Sequence, residues 1–188
     1  MSSQAFLSVI IPAYNEEKRL KKTMPLLRDF LKKQRFTWEV ILIDDGSVDN
    51  TAQALAGFFT ADEARVFRNG RNRGKGYSVR QGVQAARGEI LLFTDADLST
   101  PLNEFDKLHA CLQQGYDIAI GSRSLPDSNV TQHQAWYRES MGKVFNKIVS
   151  LVVLEGFIDT QCGFKCFRKE IAVPIFSKMI VDRFGFDV

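Results

Sequence analysis

The stretch Glu89-Ile-Leu-Leu-Phe-Thr-Asp-Ala-Asp-Leu-Ser-Thr-Pro101 opens with an apolar run and stops on two carboxylates, Asp95 and Asp97, one residue apart. The run has the length and bulk of a strand buried on both faces, as a parallel sheet requires. In an open α/β sheet, ligands bind outside the carboxyl ends of the strands, so both acids fall where a ligand sits. An Asp-X-Asp at such a point suits a hard divalent cation that bridges to phosphate oxygens. Taken alone the pattern is unspecific, because most short acidic motifs are solvated loop residues.

Outward from this stretch the same arrangement recurs. Upstream, Leu7-Ser-Val-Ile-Ile11 predicts a buried first strand, ended by Pro12, which fixes φ and lacks a donor. Glu17 to Gln34 carries Leu20, Met24, Leu27 and Leu31 at helical spacing, with Pro25 predicting a kink or a late start. Trp38 to Ile43 is a second strand, running into Asp44-Asp45-Gly46-Ser47. Asp49 or Asn50 caps a helix over Thr51 to Phe59. Ala64 to Phe67 is a third strand, and Arg68-Asn-Gly-Arg-Asn-Arg-Gly-Lys-Gly76 leads into a helix through Ala86.

Downstream, Pro101 and Asn103 start a helix to about Gln114, and Tyr116 to Ile120 is a fifth strand ending in Gly121-Ser122-Arg123. Residues 124–134 read as a loop, Ala135 to Leu154 as a helix and Asp159 to Lys165 as a turn. Cys166-Phe167 suggests a short strand, and Lys169 to Met179 a last helix interrupted by Pro174. Strands alternating with helices over residues 7–120 predict an α/β fold: a Rossmann-like, mostly parallel sheet covered by helices on both faces. Glu16, Asp44/Asp45, Asp95/Asp97 and Ser122/Arg123 then converge on one sheet edge.

Bulk composition narrows the class. The 188 residues are 45% hydrophobic and 25% charged, with a net charge of +3, as a single soluble domain has. Cys111, Cys162 and Cys166 form no paired spacing, which implies reduced thiols and an intracellular site; with His109 and His133 the only histidines, a zinc site is not indicated. Strand-like sequence from Leu7 argues against a signal peptide, and no uncharged apolar run reaches the roughly 18 residues of a membrane span.

The familiar phosphate loops are missing. Gly70-Arg-Asn-Arg-Gly74-Lys75 is one residue short of a P-loop, and Gly76 stands where Ser or Thr is needed. Gly74, Gly76 and Gly82 do not have dinucleotide spacing. No Gly-X-Ser-X-Gly elbow occurs. An acid-rich sheet edge facing basic residues fits a nucleoside diphosphate carrying a leaving group, with carboxylates holding a metal and cations neutralising phosphate.

Five motifs give this reading a family. Ser8-Val-Ile-Ile-Pro-Ala-Tyr-Asn-Glu16, Ile43-Asp-Asp-Gly-Ser47, Asn72-Arg-Gly-Lys-Gly76, Thr94-Asp-Ala-Asp97 and Gly121-Ser-Arg123 resemble the inverting nucleotide-sugar glycosyltransferases of family 2, with the GT-A fold. Asp159-Thr-Gln-Cys-Gly-Phe-Lys165 is similar to the subgroup that moves a hexose onto a polyprenyl phosphate, dolichyl-phosphate β-glucosyltransferases above all.

The resemblance implies roles. Pro12, Tyr14, Glu16, Ile43, Asp44, Asp45, Lys75, Asp95 and Ala96 belong to the nucleotide-sugar pocket. Asp97, with Asp95 beside it, holds Mg²⁺ or Mn²⁺. Arg123 and Arg138 hold the acceptor phosphate, and Asp159 is the base-like acid. The donor is a nucleotide sugar, UDP-glucose by the Asp159–Lys165 resemblance, and the acceptor a polyprenyl-phosphate lipid. Nucleic acid is not a partner, and a homodimer is left open.

The expected location is cytoplasmic, with peripheral contact on the cytoplasmic membrane face, through the apolar stretch 144–154 or, with that stretch in the core, elsewhere. Residues 1–188 read as one catalytic domain that stops inside a motif relatives continue, and so as truncated at the C-terminus. Three alternatives stay open on sequence: a family 2 transferase to a sugar or protein hydroxyl, a non-catalytic nucleotide-sugar binding module, and a signalling receiver domain.

Overall fold

The computed structural model describes residues 5–122 and 162–186. Six strands form one sheet: β1 (Leu7–Ala13), β2 (Trp38–Asp44), β3 (Ala64–Arg68), β4 (Ile90–Thr94), β5 (Ile118–Ile120) and β6 (Phe164–Arg168). Among the described residues the α-helices are α1 (Glu17–Lys32), α2 (Lys75–Ala85), α3 (Glu104–Gln113) and α4 (Lys169–Lys178). The strand order is β3-β2-β1-β4-β6-β5. β1 to β4 pair in parallel, while β6 runs antiparallel between β4 and β5. That antiparallel insertion excludes a receiver domain, whose sheet is parallel throughout.

Alternation along the strands explains the two helical layers. Val9, Ile11, Val40 and Leu42 join Leu20, Met24 and Leu27 of α1 and Phe105 and Leu108 of α3 in one core. Ile10, Ile41, Ile43 and Phe93 point the other way, toward Val79 and Val83 of α2 and Ala172 and Phe176 of α4. Each fully buried Leu, Ile or Phe contributes about 2 kcal/mol of transfer free energy. Helix α2 lies so close to β1 that a Cβ on Gly82 would stand 2.3 Å from Ile10 Cγ2.

Several expectations need correction. β1 passes through Pro12 to Ala13 instead of ending at Pro12. β4 pairs with β1 only as far as Ile10, so little ladder remains for the missing N–H to disrupt. The predicted helix after Asn50 is a single 3₁₀ turn, Thr51–Gln53, and the chain turns at Gly57 with φ +86°. α1 starts on time at Glu17, and α4 is not interrupted by Pro174. β6 is longer than the Cys166-Phe167 pair suggests. The predicted 124–134 loop and the 135–154 helix lie outside the described residues.

Candidate functional site

The carboxyl ends of β1 to β5 and the amino end of β6 share one edge. The loops after β1 and β2 are stitched there. Asn15, in the left-handed region at φ 57°, donates its N–H to Ser47 Oγ (2.9 Å) and accepts from Val48 N–H (2.9 Å). Glu16 N–H reaches Thr51 Oγ1 at 2.8 Å, and Glu17 N–H reaches Asp49 at 3.2 Å. Tyr14 stands 46% exposed beside them, free of the core.

The acids after β2 are occupied. Asp44, fully buried, accepts from Ser47 N–H at 2.9 Å. Its Oδ2 lies 3.2 Å from Arg68 Nε without hydrogen-bond alignment. Asp45 accepts from Asn69 Nδ2 (2.7 Å), Arg73 N–H (2.9 Å) and Gly74 N–H (2.7 Å), so it clasps the basic glycine loop. Gly46 is required under that loop: its φ is +78°, and a Cβ would meet the Arg71 backbone at 2.5 Å.

The pair after β4 divides. Asp95 Oδ1 is 2.7 Å from Lys75 Nζ, at the head of α2. Gly163, just before β6, accepts the Asp95 N–H and abuts its carboxylate; a Cβ there would fall 2.0 Å from Asp95 Oδ2. Ala96 is buried, and its carbonyl accepts from Thr23 Oγ1 at 2.8 Å, tying the turn to α1. Asp97 is exposed, with Oδ1 accepting from Ser99 N–H at 3.0 Å.

Glu16 belongs to the same cluster. Burial pushes its carboxyl above the usual value, the charges of Asp97 and Asp49 add to that, and the adjacent Arg19 works against it. A cleft of about 560 Å³ opens beside Glu16, lined by Asn15, Lys18, Arg19, Lys22 and Asp49. A larger groove, about 770 Å³, lies at the opposite sheet edge by Ile90, His109 and Arg168, and shares no residue with this cluster.

The structure therefore brings Tyr14, Glu16, Asp44, Asp45, Lys75, Asp95, Ala96 and Asp97 to one sheet edge, with Pro12 inside β1, one residue before its end. Ile43 is different: its side chain is fully buried among the α2-side core residues. Arg123, Arg138 and Asp159 lie outside the described residues. Three contributors escaped the sequence reading. Thr23 was one threonine on a helix, and Asn69 one polar residue in a basic run. Gly163 carried the clearest signal, a glycine within the Asp159–Lys165 motif.

An accumulation of acids with Lys75 among them suits a cation and a phosphate together. Residues 8–176 match Glycosyl transferase family 2. The chain is 39% identical to the dolichyl-phosphate beta-glucosyltransferase of Drosophila melanogaster and 37% identical to that of Homo sapiens, covering 97% of this chain and 60% of each relative. It thus spans about three-fifths of the length of these relatives.

Solved structures share the fold. Glucosyl-3-phosphoglycerate synthase from Mycobacterium tuberculosis, in complex with Mn²⁺, UDP-glucose and phosphoglyceric acid, superposes with a TM-score of 0.63 at 20% identity, over 89% of this chain and 57% of that one. Mannosyl-3-phosphoglycerate synthase from Rubrobacter xylanophilus gives 0.65 at 17% identity, over 89% and 54%. The architecture is GT-A.

Proposed function

The chain belongs to glycosyl transferase family 2, and on that premise we propose that it transfers a glucosyl group from UDP-glucose to a dolichyl or other polyprenyl phosphate, inverting the anomeric carbon. One observation carries the reading: Lys75, Asp95, Asp97 and Glu16 meet at the carboxyl edge of the sheet. They do so in a chain that aligns over 97% of its length with named dolichyl-phosphate glucosyltransferases.

The residues suit a divalent cation, Mg²⁺ or Mn²⁺. Asp97 offers an exposed carboxylate, whereas Asp95 is engaged by Lys75, so Asp97 is the better ligand and Asp95 the nearer neighbour of the nucleotide. Among the described residues, no three acid, histidine or cysteine side chains are grouped to cage an ion. A cation held by Asp97 would need its remaining ligands from outside the protein, as Mg²⁺ commonly does. Bound, it would neutralise charge on the departing diphosphate.

The chain's own groups do the rest. Tyr14 presents an exposed ring to a base. Lys75 has Asp95 as its present partner and can exchange it for a phosphate oxygen. The acceptor phosphate is largely ionised at pH 7, since its second pKa is about 6. Its oxygen attacks the anomeric carbon from the face opposite the diphosphate. The new C–O bond forms as the bond to the diphosphate breaks, and the diphosphate leaves with the electron pair. With an anionic nucleophile, a strong base is not needed. Arg123 and Arg138 are proposed to hold that phosphate, with Asp159 beside it.

Among the described residues no helix is long and apolar enough to cross a membrane. A lipid acceptor would bring the site to a membrane surface, and the proposed contact is peripheral, on the cytoplasmic face. The deciding experiment pairs a panel of nucleotide sugars with a polyprenyl phosphate and Mg²⁺ or Mn²⁺. Glucose transfer from UDP-glucose, lost on chelation and in Asp97→Ala, is expected. Transfer undiminished in Asp97→Ala sinks the metal assignment, and transfer to a sugar or protein hydroxyl instead of the lipid phosphate replaces the acceptor.

A further inference from the structure

The nucleotide reading leaves the segment after α4 without a task, although residues 179–186 lie across the head of α2. Tyr77 N–H, one of the donors that a helix start leaves free, is taken by the Asp182 carbonyl at 2.9 Å. The glycines on either side of Lys75 exist in close contact with this segment. A Cβ on Gly74 would stand 2.5 Å from the Asp182 carbonyl oxygen, and one on Gly76 would stand 2.6 Å from that of Val181. The Gly74-Lys75-Gly76 motif is thus shaped by a protein strap lying on it, and the strap fills the place at the helix N-terminus that an anion would otherwise take.

Asp182 is the strap's anchor. Its carboxylate meets Arg80 at 2.8 Å and Arg73 at 4.0 Å, and Arg80 also donates to the Met179 carbonyl. Both guanidinium groups lie over the Tyr77 ring, at 3.9 Å for Arg73 and 5.1 Å for Arg80. Farther along, Phe186 sets its ring edge-on to Phe93, with centroids 6.1 Å apart. Lys75 Nζ lies 5.2 Å from the centroid of the same Phe93 ring. The strap therefore bears on Lys75 from two sides, through the backbone of its glycine neighbours and through the aromatic floor beneath its ammonium.

We propose that Asp182 is a positioning residue for the donor site: clamped by Arg80 and Arg73, it holds the strap on α2 and so aims the Lys75 ammonium at the point where Asp95, and then a diphosphate oxygen, receives it. This rests on the nucleotide-sugar reading for its ligand, while the coupling of Asp182 to Lys75 stands on the contacts alone. Asp182 is not a catalytic residue, since its carboxylate is spent on two arginines.

The test is calorimetric titration of UDP with Mn²⁺ into the whole chain. Asp182→Asn is expected to weaken UDP about tenfold, the scale of one charge-assisted contact misplaced. Asp182→Glu, which keeps the charge, recovers binding to within about twofold of wild type. In a Lys75→Met background, Asp182→Asn adds less than about twofold, because the group it aims is gone. A merely structural Asp182 would lower the melting temperature and leave UDP affinity alone. Unchanged affinity in Asp182→Asn, or an equal loss with and without Lys75, overturns the proposal. Should Asp182→Asn not fold, Arg80→Gln removes the same clamp from the helix side and carries the same expectations.

A second readout needs no nucleotide. After reductive ¹³C-methylation, the Lys75 resonance, assigned by its loss in Lys75→Met, should shift in Asp182→Asn. A fixed resonance overturns the coupling. Wild-type protein that binds no UDP overturns the donor reading and leaves this second test of the strap intact.

Discussion

The two edges of the sheet treat carboxylates in opposite ways. At the amino edge, Glu39 is 4% exposed and every approach to it is filled. Its Oε1 accepts from Ser8 Oγ and Arg87 N–H, both at 2.7 Å, and its Oε2 from Arg65 at 3.1 and 2.8 Å. Ser8 in turn accepts from Gly88 N–H. At the carboxyl edge, burial and then the charge of Asp97 hold the Glu16 carboxyl above its usual value, and exposed Asp97 accepts from the Ser99 N–H. Burial with complete pairing makes an acid part of the fold; acids gathered with unused acceptors are poised for a partner from outside. Asp45 shows that position alone does not decide. It sits at the carboxyl edge, yet three donors make it a structural clasp.

This contrast can be broken by experiment. Glu39→Ala should cost the most, about 4 kcal/mol, because it leaves the Arg87 N–H and the Ser8 hydroxyl without their buried acceptor and takes the carboxylate from Arg65, which keeps only its bond to the Ala85 carbonyl. For a domain of this size that lowers the melting temperature by roughly 10 °C, with activity per folded molecule preserved. Asp97→Ala should do the reverse: transfer falls about a hundredfold, roughly 2.7 kcal/mol of barrier, with melting within about 2 °C of wild type. Mn²⁺ should raise the melting temperature of the wild type and not of this variant. Loss of specific activity in Glu39→Ala, or unfolding of Asp97→Ala, would erase the distinction.

Smaller changes sharpen it. Gly163→Ala pushes a methyl group into the Asp95 carboxylate and should weaken UDP about tenfold while the sheet persists, as titration and circular dichroism would show. Glu16→Gln is the mildest. The folded-state pKa of Glu16 is raised, so the fold favours the protonated acid. Stability from this group is present below the ordinary value near 4.5 and is lost as pH rises through the raised one. The variant should therefore melt slightly above wild type at pH 7, and the gap should close by about pH 4, as paired melting curves would reveal.

What could be read from the residues follows a physical boundary. Apolar strands with period two and the amphipathic α1 are local signals, so β1 to β4 and the layers over them were legible before any coordinates. Sheet order beyond β4 was not. β6 owes its place to pairing with β4 and β5, and nothing in Phe164-Lys-Cys-Phe-Arg168 specifies an antiparallel partner. The Asp-X-Asp at a strand end was visible as a pattern, and the division of labour within it was not. That division depends on Lys75, twenty residues upstream, and on Gly163, far downstream. Ile43 taught the converse. It belongs to a recognisable motif, yet its side chain serves the core.

The insertion of β6 also sets a timetable. A ribosome delivers β1 to β4 by residue 94, and these strands pair with one another as they appear. β5 follows by residue 120, but among the described residues its neighbour in the sheet is β6, which is not synthesised until residues 164–168. For more than forty residues of elongation the nascent chain carries a strand with no seat, and β4 has an unpaired edge along which a foreign strand can add. Asp95 receives its Gly163 contact only when that gap closes. The acidic corner is thus among the last features of the described fold to be completed.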